Sequence, residues 1–397
     1  MKTLVILGAV AATGALLAWP RLARARLWRA SITPMASIIG SGFLVIGPIL
    51  NTSFGKFAPW VMLALCAAAY SLGSAIRFNI LRIDRTGTRT PLEIRLETVA
   101  SWSLAFAYVI SVAYYLNLLG AFAVTMTPLE GANYPRIVTS AVLAVILVVG
   151  WTRGFGALER LEQVSVGMKL AIIAGLLVGL AWFFAEEVAR DALVFAPATV
   201  TGWSAVVLAF GLLVTVQGFE TSRYLSAEYD AAERVRSMRV AQAVSTSIYM
   251  LYIGLMAFIF APDTLELSET AIIDLMALVA PILPGLLVIA AVTAQFSAAV
   301  ADTGGAGGLL SELTRQRLSP RSGYAILVAL GLALTWGASV FELISYASRA
   351  FAVYYGLQCL IAAIGAAATK AAPLRSMAFL ALAVLAFAAA LFGVPVE

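Results

Sequence analysis

Apolar runs long enough to cross a lipid bilayer recur along almost the whole chain. A bilayer core about 30 Å thick is crossed by roughly 20 residues of α-helix. The runs lie near residues 3–19, 31–52, 57–80, 96–126, 135–152, 162–184, 203–226, 238–261, 276–304, 322–339, 341–367 and 373–394. We therefore expect an all-α polytopic membrane protein with about 12 transmembrane helices.

The composition excludes an ordinary soluble fold. Hydrophobic residues make up 62% of the 397 residues and charged residues only 12%, against about 25% charged in soluble domains. Histidine is absent, which argues against intramembrane zinc proteases, bis-histidine haem proteins and Ser-His hydrolases. We expect no enzyme activity, metal or cofactor, and the net charge of +5 indicates membrane topology, with no nucleic-acid partner.

The basic residues predict how the chain is oriented, because cytoplasmic loops of membrane proteins are rich in Lys and Arg. If the segment Arg21–Arg29 is cytoplasmic, alternate connections should be basic. Those connections hold 20 of the 26 basic residues. We therefore predict a multi-pass protein of the cell (inner or plasma) membrane with both termini on the non-cytoplasmic side.

Residues 3–19 have two interpretations. The run could be the apolar region of a signal peptide. However, Lys2 is the only basic residue before it, and the basic segment after it would then have to be translocated. An uncleaved helix fits this charge pattern better.

Two predicted spans stand out because they combine glycines with polar residues at membrane depth. The second span contains Gly40-Ser41-Gly42, and the seventh contains Gly211 and Gly218. Small residues in a span can simply allow close helix contact. However, these spans are five helices apart, and interrupted helices at corresponding positions of two halves indicate a transporter site.

The five-helix spacing also predicts the organisation of a single membrane domain over residues 1–397. Five helices reverse the membrane orientation, so the second half would be an inverted copy of the first. We predict an extra helix and basic loop at 1–30, repeats at 31–184 and 203–368, and a last helix at 373–394, with the first and sixth core helices broken.

Several motifs resemble the amino acid–polyamine–organocation (APC) superfamily of transporters, which have a LeuT-like inverted repeat. Ile39-Gly-Ser-Gly-Phe43 is similar to the break in the family's first core helix, and Gly218-Phe-Glu220 to the break in its sixth. Weaker similarities are Trp151-Thr-Arg-Gly154, Val166-Gly-Met-Lys169-Leu and Ala299-Val-Ala-Asp302. The resemblance implies alternating-access transport of a small molecule.

The resemblance also implies where the substrate binds. Amides around Ser41–Phe43 would receive a carboxylate, since a helix N-terminus attracts anions. Unwound carbonyls near Val214–Gln217 would accept an ammonium group. Phe210 would either close over the site or simply contact lipid and core. The expected substrate-binding residues are Ser37, Gly40, Ser41, Gly42, Phe43, Phe210, Val214, Gln217 and Gly218.

Four polar residues are candidates for coupling or gating. Lys169 lies inside a predicted span, where a charge is costly, unless its side chain snorkels to the surface. The resemblance implies that this lysine replaces a sodium ion used by relatives, with Ser297 and Asp302 as partners. Glu220 could take part in proton coupling, or it could pair with Arg223 three residues later.

The leading functional hypothesis is a secondary active transporter (permease) of amino acids or related small organic amines and zwitterions. One alternative is an inorganic-ion transporter or channel on the same fold, and another is a membrane ligand sensor that transports nothing. The sequence leaves open the substrate, the coupling ion, the direction of transport and the oligomeric state.

Overall fold

The computed structural model describes residues 1–40, 42–129, 131, 133–152, 159–226, 228–261, 266–368 and 373–396, with the backbone alone at 159–163. Within these ranges the chain forms helices joined by short connections, and no strand occurs among them. The all-helical prediction is therefore confirmed for this part of the chain.

The helices of the described chain are numbered in order. They are α1 (Lys2–Ala18), α2 (Pro20–Ala23), α3 (Arg26–Ile38), α4 (Gly42–Phe54), α5 (Ala58–Thr86), α6 (Pro91–Thr125), α7 (Asn133–Thr152), α8 (Glu159–Ala189), α9 (Gly202–Gly211), α10 (Ala231–Met256), α11 (Ala271–Val279), α12 (Leu283–Leu313), α13 (Pro320–Gly337), α14 (Val340–Ala367) and α15 (Pro373–Phe392). Short 3-10 segments occur at Gly55–Phe57, Leu213–Val216 and Phe219–Tyr224.

Seven segments of the described chain are long and apolar enough to cross a membrane. They include α6, α7, α12, α14 and α15, most of α8, and the stretch from α4 through α5. The apolar helices α1 and α9 are shorter. The chain is thus a multi-pass membrane protein, whereas the count of about twelve spans stays a prediction.

The ninth predicted run, 276–304, is not one helix. It is divided between α11 and α12 at residues 280–282. Pro281 and Pro284 lie at this point, and a proline within a helix removes a backbone hydrogen bond and collides with the preceding turn. The structure therefore places a short helix before a long one where the sequence predicted a single apolar run.

Local signals in the sequence explain where several helices begin and end. The Thr90 hydroxyl and the Glu93 carboxylate form a capping box at the start of α6. Ser339 and Glu342 form another at the start of α14. Gly87 ends α5 with a φ of +63°, a conformation that glycine adopts without steric cost.

The long helices enclose the two interrupted segments. Helix α6 contacts α7, α12, α13 and α14. Helix α10 contacts α3, α4 and α5, while α14 contacts α5, α9 and the 3-10 segment Leu213–Val216. Helices α8 and α12 both contact α3. The chain breaks therefore lie between helices and away from lipid.

The first helix contacts the outer side of this assembly. Helix α1 lies against α8, where a methyl group added to Gly175 would lie 2.5 Å from Val10. The Lys2 ammonium lies 2.5 Å from the Glu186 carboxylate. Close contact along the helix and an ion pair at one end fix α1 in place.

The predicted orientation can be tested with single cysteines at exposed loop positions. Thr88 lies between α5 and α6, on the predicted cytoplasmic side, and Thr127 follows α6 on the opposite side. In a background with Cys66→Ala and Cys359→Ala, we expect an impermeant maleimide to label Thr127→Cys in intact spheroplasts. Thr88→Cys should react only after the membrane is permeabilised. The reverse pattern would show that the orientation is inverted.

Candidate functional site

The first break separates α3 from α4. Helix α3 ends at Ile38, Ile39 has a φ of −86° and a ψ of 49°, and α4 begins at Gly42. A methyl group added to Gly42 would lie 2.7 Å from the Thr215 Cα atom. Glycine is therefore required here because the two interrupted helical segments are in direct contact. Ser41, a predicted substrate-binding residue, lies outside the described residues.

The second break is longer than the first. Helix α9 ends at Gly211, and Gln217 is extended between two 3-10 segments. Gly218 has a φ of +114°, which side-chain-bearing residues rarely adopt. A methyl group added to it would lie 2.3 Å from the Ser37 hydroxyl oxygen. The α-helix expected after this break is replaced by 3-10 turns.

Two hydroxyl groups from neighbouring helices bond to backbone groups at the breaks. The Tyr249 hydroxyl oxygen, on α10, lies 3.0 Å from the carbonyl oxygen of Ile38 and 2.5 Å from that of Thr215. The Ser348 hydroxyl, on α14, donates to the Gly211 carbonyl at 2.7 Å and accepts from the Val214 amide at 2.8 Å. Tyr249 therefore joins the first break to the second.

Neither hydroxyl was among the predicted site residues. Both lie in predicted spans, so the signal that could have identified them was a polar side chain at membrane depth.

Phe43 was predicted and is fully buried, with its ring centroid 5.5 Å from that of Tyr249 and 4.5 Å from that of Tyr252. The Phe43 side chain therefore contacts α10, while its amide lies in the first turn of α4.

Gln217 and Glu220 share a hydroxyl partner beside the second break. The Tyr355 hydroxyl oxygen lies 3.1 Å from Gln217 Oε1 and 2.7 Å from Glu220 Oε2. The Gly218 amide also donates to Glu220 Oε2, at 3.0 Å. Glu220 is buried, and it forms no ion pair with a basic side chain of the described chain.

The alternative that Glu220 pairs with Arg223 is wrong. Arg223 Nη2 donates instead to Glu97 Oε1 on α6, at 2.5 Å. Glu220 turns back to the Gly218 amide, two residues before it, and to Tyr355 on α14, whereas Arg223 reaches α6. The two side chains therefore have different partners although they are only three residues apart.

Lys169 lies in a small cavity between α3, α8 and α12. Its ammonium donates to the carbonyl oxygen of Ala36 at 2.8 Å, in the last turn of α3. The residue is only 6% exposed, so its side chain does not snorkel to the surface. A cation is favoured at this position because the final carbonyl groups of a helix carry partial negative charge.

The same cavity brings together most of the predicted coupling residues. It has a volume of about 40 Å³ and is lined by Ser37, Lys169, Ser297 and Asp302, among others. The Asp302 carboxylate accepts a hydrogen bond from Ser111 at 2.5 Å. This volume suits a few water molecules or a small ion. Thr33, Ser165 and Thr221 also line the cavity, and sequence reasoning missed them.

The Phe210 side chain does not lie between the two breaks. It is half-buried and lines an apolar groove with Phe54, Trp60 and Leu213. This position matches the alternative of core and lipid contact better than a role in closing over a substrate.

A family model for APC superfamily transporters matches residues 20–393. The chain belongs to the APC superfamily. The resemblance seen in the interrupted-helix motifs is thus confirmed, and the match begins just after α1. The family is one of transporters, which supports a membrane-embedded, small-molecule transport role.

A relative from Aquifex aeolicus is similar over most of both chains. The two sequences are 42% identical over 356 residues, covering 86% of this chain and 85% of the relative. The relative is described only as an uncharacterised protein. It therefore adds no substrate or activity to the family assignment.

The role of Tyr249 can be tested against a neighbour on the same helix. Tyr252 is equally buried, but its hydroxyl has no hydrogen-bond partner within the described chain. We expect Tyr249→Phe to lower the free energy of unfolding by about 1–3 kcal/mol, because a buried carbonyl group loses its hydrogen-bond donor. Tyr252→Phe should leave it unchanged or slightly raised. Thermal unfolding of the purified protein measures both, and equal losses would contradict the role assigned to Tyr249.

Proposed function

We propose that this APC superfamily member is a secondary active transporter of amino acids or related small organic amines and zwitterions. The observation that carries the proposal is the direct contact between two interrupted helices, Gly42 against Thr215 and Gly218 against Ser37. Unpaired backbone groups at membrane depth are tolerated only where they line a cavity or meet a ligand or side chain. Two such breaks in contact form a site for a ligand that carries both charges.

Helix contacts support an inverted repeat of five helices. Suppose that α3–α4, α5, α6, α7 and α8 correspond to α9 with its 3-10 segments, α10, α12, α13 and α14. Helix contacts of one half should then recur when the halves are exchanged, and several do. The α6–α7 contact has its counterpart in α12–α13, and α8–α12 in α14–α6. The α5–α10 and α6–α12 contacts each relate a helix to its own copy.

The two breaks suit the two ends of a zwitterion. Amides in the first turn of α4, from Gly42 and Phe43, would receive the carboxylate, because a helix N-terminus presents unpaired N–H groups and partial positive charge. Carbonyl groups of Val214–Gln217 would accept the ammonium. Separation of Gly42 from Thr215 would then open the site to one side of the membrane at a time.

Coupling is proposed to depend on Lys169 and Glu220. Lys169 places a positive charge at the end of α3, where it would serve in place of a sodium ion, with Ser297 and Asp302 in the same cavity. Glu220 would carry the coupled proton, because it is buried and bonded to a hydroxyl and an amide rather than to a cation.

The substrate class can be tested by a ligand-induced thermal shift. We expect one class among amino acids, amines, carboxylates and nucleobases to stabilise the purified protein, by about 2.7 kcal/mol at 100 times its Kd. Gly42→Ala should abolish this shift, since the added methyl group would strike Thr215. Gly254→Ala, on α10 with open space around it, should retain it.

The other outcomes of this screen separate the competing functions. A shift produced only by an inorganic ion would favour an ion transporter or channel. A shift with an organic solute, but no uptake of that solute into liposomes, would favour a ligand sensor. Stabilisation retained in full by Gly42→Ala would contradict the proposed site.

Coupling can be tested by uptake into liposomes with a controlled pH gradient. We expect uptake to be independent of sodium and driven by protons. Glu220→Gln, which keeps the hydrogen bonds of a neutral side chain, should remove the dependence on pH. Lys169→Gln should reduce uptake, whereas Lys56→Gln, at an exposed position, should have no effect. Uptake that requires sodium would contradict the role of Lys169.

A further inference from the structure

Two large grooves lined by described residues open on the surface of the helical assembly. One groove, of about 510 Å³, lies between α5, α9 and α15 and is lined only by apolar residues. The other, of about 630 Å³, lies between α6, α13 and α14. We call the second one the arginine groove, because Arg349 is its only charged lining residue, with Phe106, Leu330, Tyr346 and Val353 among the others.

Arg349 is exposed in this groove and has no acidic partner in the described chain. Its Nε atom donates to the carbonyl oxygen of Ala390 at 2.8 Å, in the last turn of α15. Glu342, the acidic residue on the same helix, is engaged in the capping box with Ser339. A guanidinium group has five N–H donors, so most of its donors remain for another ligand.

The depth of Arg349 restricts what that ligand can be. The residue lies nine positions into α14, which corresponds to about 13 Å along the helix axis. A charged side chain inside a bilayer is costly unless it meets an opposite charge or water. A phospholipid phosphate can reach such a residue from the membrane interface, and an acyl chain matches the apolar walls of the groove.

We propose that the arginine groove binds one anionic phospholipid from the leaflet next to the start of α14. The phosphate accepts hydrogen bonds from Arg349, since guanidinium groups bind phosphate in a bidentate manner. One acyl chain lies along Phe106, Leu330 and Val353. The apolar groove between α5, α9 and α15 lacks a cation and therefore has no preference for anionic lipid.

The proposed lipid site is next to the second break in sequence, because Arg349 follows a residue that bonds to the break. Ser348, which bonds to Gly211 and Val214, is the neighbour of Arg349 on α14. A lipid that holds Arg349 therefore also restrains the residue that orders the break. The lipid inference stands independently of the proposed substrate.

The test compares lipid retention by the full-length protein using native mass spectrometry. Phosphatidylglycerol and phosphatidylcholine with identical acyl chains serve as the two probes. We expect the wild type to retain one phosphatidylglycerol preferentially, and Arg349→Gln to reduce that preference about tenfold, as expected for loss of a charge-assisted hydrogen bond. Arg136→Gln removes an arginine that stacks on Trp336 outside the groove and should leave the preference unchanged.

A second variant tests the apolar part of the groove. Ala333→Trp fills the space along α13 while retaining Arg349, and it should lower the retention of phosphatidylglycerol about tenfold as well. An unchanged preference for phosphatidylglycerol in Arg349→Gln would overturn the proposal, and so would unchanged retention in Ala333→Trp. So would an equal loss in Arg136→Gln, which would indicate general surface charge, or a lipid-free dimer in which a second copy covers the groove.

Discussion

The Tyr249 hydroxyl lies between the carbonyl groups of Ile38 and Thr215. It meets the requirement on which the rest of the structure depends, which is that backbone groups at a helix break need hydrogen-bond partners. A helix broken inside a bilayer exposes backbone groups that lipid cannot satisfy, and each unsatisfied group costs several kcal/mol. Side chains on the surrounding helices must therefore supply the missing partners. Tyr249 on α10, Ser348 on α14 and Lys169 on α8 each do so, which explains why these helices enclose the breaks.

The same requirement explains the polar residues that lie between the second break and the start of α6. Glu220 accepts from the Gly218 amide and from Tyr355. The ring of Tyr355 lies 5.6 Å from that of Tyr354, whose hydroxyl oxygen is 3.2 Å from that of Tyr224. Arg223 then pairs with Glu97 near the start of α6. Polar side chains thus extend from the second break to α6, joined by hydrogen bonds and, between Tyr354 and Tyr355, by a ring contact.

The sequence predicted the breaks but not the groups that satisfy them. Gly42 and Gly218 are visible because glycine marks close approach or positive φ, and Pro281 and Pro284 carried a signal for the division of the ninth run. Tyr249 and Ser348 could not be assigned, because a helix that is apolar all round gives no periodicity to show which face meets the breaks. The position of Phe210 was ambiguous for the same reason. Lys169 was predicted because a charge in a span has few permitted environments.

The arrangement at the end of α3 shows how a cation there can act on the second break. Lys169 bonds to Ala36, and the next residue, Ser37, contacts Gly218. Loss of positive charge at the end of α3 would weaken its last turn, since helix C-termini favour cations. Movement of that turn would also move Ser37. Ser37 is packed so closely against Gly218 that it cannot shift alone. A change in the occupancy of the cavity would therefore reach the second break through two adjacent residues, and a change at the break would reach the cavity by the same contacts.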